Sequence, residues 1–260
     1  MPSCPAAIPL SNHTLVRLGD LIRAERVRRR SRWRRLDPGR QALLVPAHLR
    51  NGDTFARLAA GFGVSCSTAW RYVREAVDRL AALADDVRAA GERAARPAYA
   101  ILDGTLVPVD RVTDQKPCYS GKHRRHGANV QILADPAGRL GRASAALPGA
   151  VHDLTAARAH GLVEVLTANE VTTSADKAYQ GAGGTVRTPF KRHATRPRLS
   201  RGQEAVNRAH ARIRALGERA VPLLKDWKVL TKLRCCPRRA TAIISAILVL
   251  HHTETRRQPR

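Results

Sequence analysis

No stretch of this 260-residue sequence stays apolar for long enough to cross a bilayer. The longest apolar run, Ala240 to Leu250, falls well short of the roughly 20 residues required and reads as a buried C-terminal helix. Met1 to Leu10 has no basic start and is broken by three prolines. It does not read as a secretory signal, so a cytoplasmic, nucleoid-associated prokaryotic protein is expected. Cysteine is scarce and unpatterned. Cys4, Cys66, Cys118, Cys235 and Cys236 offer no CxxC or Cys/His finger spacing, so neither a zinc site nor a disulfide framework is suggested. Acidic residues are few, 21 against 46 lysines and arginines, which leaves a formal net charge of +25 and a pI near 11.4. Solubility needs far less, and the excess implies a polyanionic partner. The length is enough to bury a core without disulfides.

The basic residues are densest in Arg23 to Arg40, RAERVRRRSRWRRLDPGR, which with the preceding residues reads as a basic arm over 1–39, partly disordered and available to phosphates. A solvated charged helix is the plainer reading. A module over 40–90 follows. Gln41 to Arg50 is apolar at helical spacing but contains Pro46, which predicts a short or kinked helix. Asn51-Gly52-Asp53 is turn chemistry, and Asp53 or Thr54 can cap the helix TFARLAAGF. Gly63-Val64-Ser65 breaks the period before SCSTAWRYVREAVDRLAALA, whose Ala69, Val73, Val77, Leu80 and Leu83 form an amphipathic stripe. Two short helices around a glycine-containing turn, the second opening Ser/Thr-rich and basic, match a helix-turn-helix. Ser67, Thr68, Arg71, Tyr72 and Arg74 then face the DNA groove or its phosphates.

After Pro97 the pattern changes to strands. Tyr99 to Val109 is β-rich, and Asn129 to Asp135 with LGRASAALPGAV reads as a hairpin around Pro136 to Arg139. LTAARAHGLVEVLTA is helical, VTTSAD is a short strand, and Gln203 to Trp227 is a long helical pattern. A mixed α/β domain over 97–250 results, followed by a basic tail over 251–260. Two carboxylates stand at strand ends: Asp103 after YAIL and before Gly104, and Asp176 closing VTTSAD. Phosphodiester chemistry with two metal ions about 3.5 to 4 Å apart needs such rigidly placed hard oxygen ligands. A turn aspartate is the plain alternative for Asp103, since Asp-Gly is a common turn pair. Glu218 lies in an arginine-rich helical segment and by itself reads as a solvated face. Tyr119, Lys122, His123, Arg124, Arg125 and His126 form a basic loop between strands, suited to phosphate contacts.

Several segments, LLVPAHLRNGDTFARLAAGFGVSCSTAWRYV, LDGTLVPVDR, YSGKHRRHGANVQILADPAGRL, LPGAVHDLTAAR, ADKAYQGAG and NRAHARIRALGERAVPLLKDWKVL, together resemble the insertion-sequence DDE transposases of the Harbinger-related branch. The resemblance implies a ribonuclease H-like mixed sheet with flanking helices, preceded by an all-α helix-turn-helix module. It implies a catalytic, metal-binding triad of Asp103, Asp176 and Glu218, with two Mg²⁺ (or Mn²⁺) ions. Asp153 is expected to support the site, and Lys177 and Arg219 to hold DNA phosphates. The His152–Asp153 pair also allows a metal phosphohydrolase reading, although that fold needs further histidine ligands on helices. The implied partners are double-stranded DNA, namely terminal inverted repeats and target, and a second copy of the chain; no membrane is expected. A non-catalytic DNA-binding derivative and a stand-alone nuclease are the alternatives. Gly217 and Pro222 depart from the family's uninterrupted helix around Glu218, which predicts a kink there and reduced activity.

Overall fold

The computed structural model describes residues 8–31, 33–110, 116–192 and 198–255. It divides into two compact units, one built from 1–84, 226–232 and 242–260, the other from 85–225 and 233–241.

The first unit is helical. Ser11 caps α1 (Asn12–Arg28), accepting the Thr14 N–H, and buries Leu18 and Ile22. Much of the segment read as an arm is thus a packed helix, because two apolar residues a turn apart give the arginine-rich stretch a core face. Cys4 and Arg32 lie outside the described residues. Asp37 caps α2 (Pro38–Leu49), with Pro38 in the first turn, where a missing N–H costs little. Pro46 does not shorten α2, which runs on past it and ends with the Arg50 N–H on the Pro46 carbonyl at 2.7 Å. Thr54 caps α3 (Phe55–Phe62), which stops at Gly63 in the left-handed region at φ 67°. Ser65 then caps α4 (Cys66–Ala81). These two capped helices and their turn fall where the helix-turn-helix was expected. Trp227 is buried beneath the Arg50 guanidinium, 5.2 Å from its ring centroid.

In the second unit, α5 (Val87–Ala94) precedes a seven-stranded sheet. The strands are β1 (Ala100–Pro108), β2 (Tyr119–Ser120), β3 (Arg125–Ala134), β4 (Leu140–Ala143), β5 (Leu147–Pro148), β6 (Thr173–Ala175) and β7 (Val186–Arg187). The central order is β2-β3-β1-β6-β7, and β4 and β5 also pair with β3. β1 and β3 are antiparallel, whereas β6 and β7 run parallel to β1. This is the mixed ribonuclease H-like sheet.

The helix expected over LTAARAHGLVEVLTA is two, α6 (Asp153–Ala159) and α7 (Leu162–Ala168), because Gly161 turns left-handed at φ 64° between them. They cover one sheet face in a core of Leu102, Leu133, Ala157, Leu162, Val163 and Leu166. α8 (Arg201–Gly217), opened by a Ser200/Gln203 capping box, follows. α8 ends at Glu218, and a separate α9 (Ala220–Lys225) begins two residues on. The break thus lies around Glu218, where it was expected. Pro222 sits in the first turn of α9, where its absent N–H has no intrahelical partner to lose. Gly217 is a packing glycine, since a Cβ there would lie 2.5 Å from Ile101 Cγ2.

The last helix, α10 (Pro237–Thr255), starts in the second unit and from Ala242 belongs to the first, where Glu254 accepts from Ser11 Oγ at 2.9 Å and Thr14 Oγ1 at 2.5 Å. Of the segment read as a basic tail, 251–255 is thus helical and 256–260 lies outside the described residues.

Candidate active site

β1 and β6 are adjacent parallel strands with Leu102 opposite Ala175, so Asp103 and Asp176 come next at the same level. Asp176 follows the carboxyl end of β6, whereas Asp103, expected at a strand end, lies inside β1 opposite Ile132, because pairing with β3 carries β1 on to Pro108. Ligand sites of open α/β sheets form beyond such carboxyl ends. The Asp103 carboxylate accepts the Gly104 N–H at 3.0 Å. Its pKa is raised, first by burial; the Arg214 guanidinium opposes this, and the negative charges of Asp176 and Asp153 add to it. Asp176 caps a single 3₁₀ turn, Lys177–Tyr179, by accepting the Ala178 N–H at 2.8 Å.

Asp153 opens α6 after the His152 cap. Its Oδ1 accepts from Asn129 Nδ2 at 2.8 Å, and its Oδ2 lies 3.3 Å from Lys122 Nζ. Gly104 makes this approach possible: a Cβ there would stand 2.4 Å from Asp153 Oδ1. Gly104, Lys122, His123, Asn129, Asp153, Asp176 and Lys177 all line one open pocket. The basic loop is the tip of the β2–β3 hairpin, with Lys122, His123 and Arg124 in the turn and Arg125 and His126 beginning β3. Burial and the neighbouring Lys122 and Arg125 charges lower the His123 pKa.

Glu218 is not brought to this cluster. It is exposed at the end of α8, beside the β3–β4 turn that Leu216 and Arg219 approach at Gly138. Along the same helix, His210 Nε2 lies 3.0 Å from Ser174 Oγ and Gly217 rests on Ile101. The side chain between them, Arg214, is the one whose charge reaches Asp103. Among the described residues, no three Asp, Glu, His or Cys side chains are gathered closely enough to hold a metal ion. His152 likewise has no cluster of histidines around it among those residues.

In the helical unit, Ser67, Arg71 and Arg74 are exposed on α4, and Thr68 is half-buried, accepting from Ser65 Oγ and Arg71 Nη2 at 3.0 and 3.3 Å. Tyr72 is not on that surface. It is 3 % exposed, its hydroxyl accepts from the Leu36 N–H at 3.5 Å, and Gln41 Nε2 bonds its carbonyl. Position 72 shares the helical stripe with Ala69, Val73 and Ala76, so its ring turns inward. The exposed aromatic is Trp70, with the Arg74 guanidinium 5.0 Å from its ring centroid.

Two family profiles match this layout. One, the DDE superfamily endonuclease, covers residues 102–252, and the other, the helix-turn-helix of DDE superfamily endonuclease, covers 34–85. The chain belongs to the DDE superfamily endonucleases. This endonuclease is 31% identical over 198 residues to the protein named as transposase for insertion sequence element IS112 of Streptomyces albus G, spanning 75% of this chain and 71% of that one. No solved structure matches the chain significantly.

For this endonuclease the family implies divalent metal ions. The carboxylate oxygens of Asp103, Asp153 and Asp176 are the hard donors such ions take. The Asp103 pKa is raised first by burial and then by the charges of Asp176 and Asp153, and a cation beside the carboxylate would oppose both. The donor chemistry therefore fits, while the ligands are not drawn together. Neither the Asn129–Gln131–Tyr179 line behind Asp153 nor Arg214 was anticipated from sequence. Asn129 and Gln131 are separated by one residue in NVQIL, and that shared-face spacing is the only signal for them.

Proposed function

We propose that this endonuclease is an insertion-sequence DNA transposase that cleaves element ends and transfers the freed 3′ hydroxyl into target DNA. The observation that carries the reading is the neighbouring placement of Asp103 and Asp176 at one level of adjacent parallel strands, beside a pocket lined by Lys122, His123, Asp153, Asp176 and Lys177. Asp103 and Asp176, joined by Glu218 once metal and DNA are bound, are the metal-holding and catalytic carboxylates of this reading, with Asp153 in support. Two ions, Mg²⁺ or Mn²⁺, when bound neutralise phosphate charge and raise the acidity of an attacking water. The chain's own part is to place the phosphodiester. Lys122, Arg124, Arg125 and Lys177 take its oxygens, His123 and His126 flank them, and the α4 surface of Ser67, Thr68, Arg71 and Arg74 holds duplex DNA. The chain acts on both element ends as a homo-oligomer, with no membrane involved. No helix of the described residues is long and apolar enough to cross a membrane.

A second reading, DNA binding without cleavage, is favoured by one observation: Glu218 is exposed at the end of α8, and among the described residues no three carboxylate, histidine or cysteine side chains are gathered to hold a metal ion. Purified protein incubated with element-end DNA and Mg²⁺ separates the two. Cleavage that Asp103→Ala abolishes while gel-shift binding persists is the expected result. Cleavage undiminished in that variant removes Asp103 from the chemistry, and binding with no cleavage by the unaltered chain establishes the second reading.

A further inference from the structure

Behind Asp153, three polar side chains lie in the interior: Tyr179 fully buried, Gln131 1 % and Asn129 6 % exposed. Buried polar groups cost about 1–3 kcal/mol each when left unpaired. These are paired in one direction only. The Tyr179 hydroxyl donates to Gln131 Oε1. Gln131 Nε2 donates to Asn129 Oδ1 at 2.8 Å, and Asn129 Nδ2 donates to Asp153 Oδ1 and to the Val151 carbonyl, each at 2.8 Å. Because Gln131 Oε1 can only accept, the phenol must donate, and each amide then has one orientation that satisfies its neighbours. The line terminates on a carboxylate, which accepts at both oxygens.

The outer end of Asp153 meets a different group. Oδ2 faces the Lys122 ammonium, whose side chain is 59 % exposed on a hairpin turn and can swing away at little cost. One oxygen is therefore gripped from the interior, and the other faces an exchangeable cation.

We propose that Tyr179, Gln131 and Asn129 are positioning residues whose one-way line holds Asp153 by Oδ1 and turns Oδ2 to the pocket as a cation acceptor, occupied by Lys122 in this state and by a divalent ion when one binds. Exchange of the one for the other releases the hairpin tip towards DNA phosphate, which couples cation uptake to DNA capture. The inference rests on reading this pocket as the metal-dependent centre.

The test is Mn²⁺ binding to the full chain without DNA, followed by titration calorimetry, with thermal midpoints measured in parallel without cation. Tyr179→Phe removes one hydroxyl from the far end of the line and is expected to weaken Mn²⁺ about tenfold, the lower end of the range for partners behind a metal ligand. Asp153→Asn should weaken it further. Lys122→Ala, at an exposed position that threatens no fold, should tighten Mn²⁺ binding by removing a competing cation. A merely structural role would lower the thermal midpoint of Tyr179→Phe and leave the Mn²⁺ affinity of the folded protein unchanged. If Asp103→Ala weakens Mn²⁺ while Tyr179→Phe and Asp153→Asn bind like the parent, the positioning line is refuted and the metal centre stands. If Lys122→Ala binds no tighter, the exchange is refuted, including where Tyr179→Phe fails to fold. Absence of Mn²⁺ binding by the unaltered chain overturns both the line and the centre.

Discussion

Replacing Gly104 by alanine adds one methyl group at the most crowded point of the pocket. The new Cβ would lie 2.4 Å from Asp153 Oδ1 and 2.7 Å from its Cγ. Ordinary carbon–oxygen contact needs about 3.3 Å, so one partner must retreat by roughly 0.9 Å. The strand cannot readily give way, because Gly104 is locked opposite Gln131 in the long β1–β3 ladder. Asp153 must move, and the move strains its 2.8 Å bond from Asn129. Overpacking costs about 1–3 kcal/mol, against a gain of about 0.4–1 kcal/mol from stiffening the unfolded chain at a position with no left-handed backbone. The net loss is about 1–2 kcal/mol, a few degrees in Tm. The effect on activity is larger, since misplacing a site group by about 1 Å can cost on the order of a hundredfold in rate. Gly104→Ala should therefore retain its fold by circular dichroism, melt a few degrees lower, and cleave element-end DNA on the order of a hundred times more slowly. Combining it with Asp153→Ser, which shortens the obstructing side chain, should restore most of the melting temperature and none of the cleavage. Parent-like cleavage by Gly104→Ala would refute the claim that Asp153 must stand where it does.

Other expectations follow from the same contacts. Arg71→Ala should leave the melting temperature unchanged and lower the salt slope of DNA binding by about 1, as for loss of one phosphate contact, whereas Tyr72→Ala should cost about 3–5 kcal/mol by opening the helical core. Both are separable by a denaturant titration beside a gel shift at several salt concentrations. Pro222→Ala, within the first turn of α9, should change stability by less than about 1 kcal/mol and leave the cleavage rate near that of the parent; a large gain in either would return the proline to a helix interior. Burial, with the neighbouring His252 and Arg50 charges, lowers the His251 pKa to about 4 from 6.5. A depressed histidine pKa stabilises the fold above the unfolded-state value, and that contribution is lost as pH falls from about 6.5 towards 4. Urea midpoints should decline across that window and decline less in His251→Leu; an unchanged slope would rule out His251 as a source.

The readability of this sequence followed how local each signal was. Asp176 stood out because a short apolar run ending in a carboxylate is a local pattern; the same pattern at Asp103 hid that β1 continues to Pro108 on its partner β3, and the parallel register with β6 places the two carboxylates side by side. The Thr54 and Ser65 caps and Gly63 were equally local. Tyr72 was misassigned because its hydroxyl suggested a groove-facing role, although its helical phase matches Ala69 and Ala76. Gly161 concealed a helix break, because its left-handed backbone is not marked by any neighbouring residue, whereas Gly217 signalled the break around Glu218 but not its own packing on Ile101, which lies 116 positions away in the chain. Asn129 and Gln131 read as the polar half of an alternating strand. Only Asp153 and Tyr179, arriving from distant elements, make them an interior line. In the basic arm, charge density hides Leu18 and Ile22, and the helix α2 on which α1 packs is not a sequence neighbour of them.

The return of α10 to the helical unit has a genetic corollary. A gene interrupted after the helix-turn-helix but before Ala242 yields a product with its helix-turn-helix sequence intact but without the segment that carries Glu254, the acceptor for Ser11 and Thr14, and the buried Ile244, Ile247 and Leu250. On the ribosome the N-terminal helices must likewise wait for α10 before their unit is complete. Truncated copies of this gene are thus poorly equipped to persist as DNA-occupying competitors of the full-length protein.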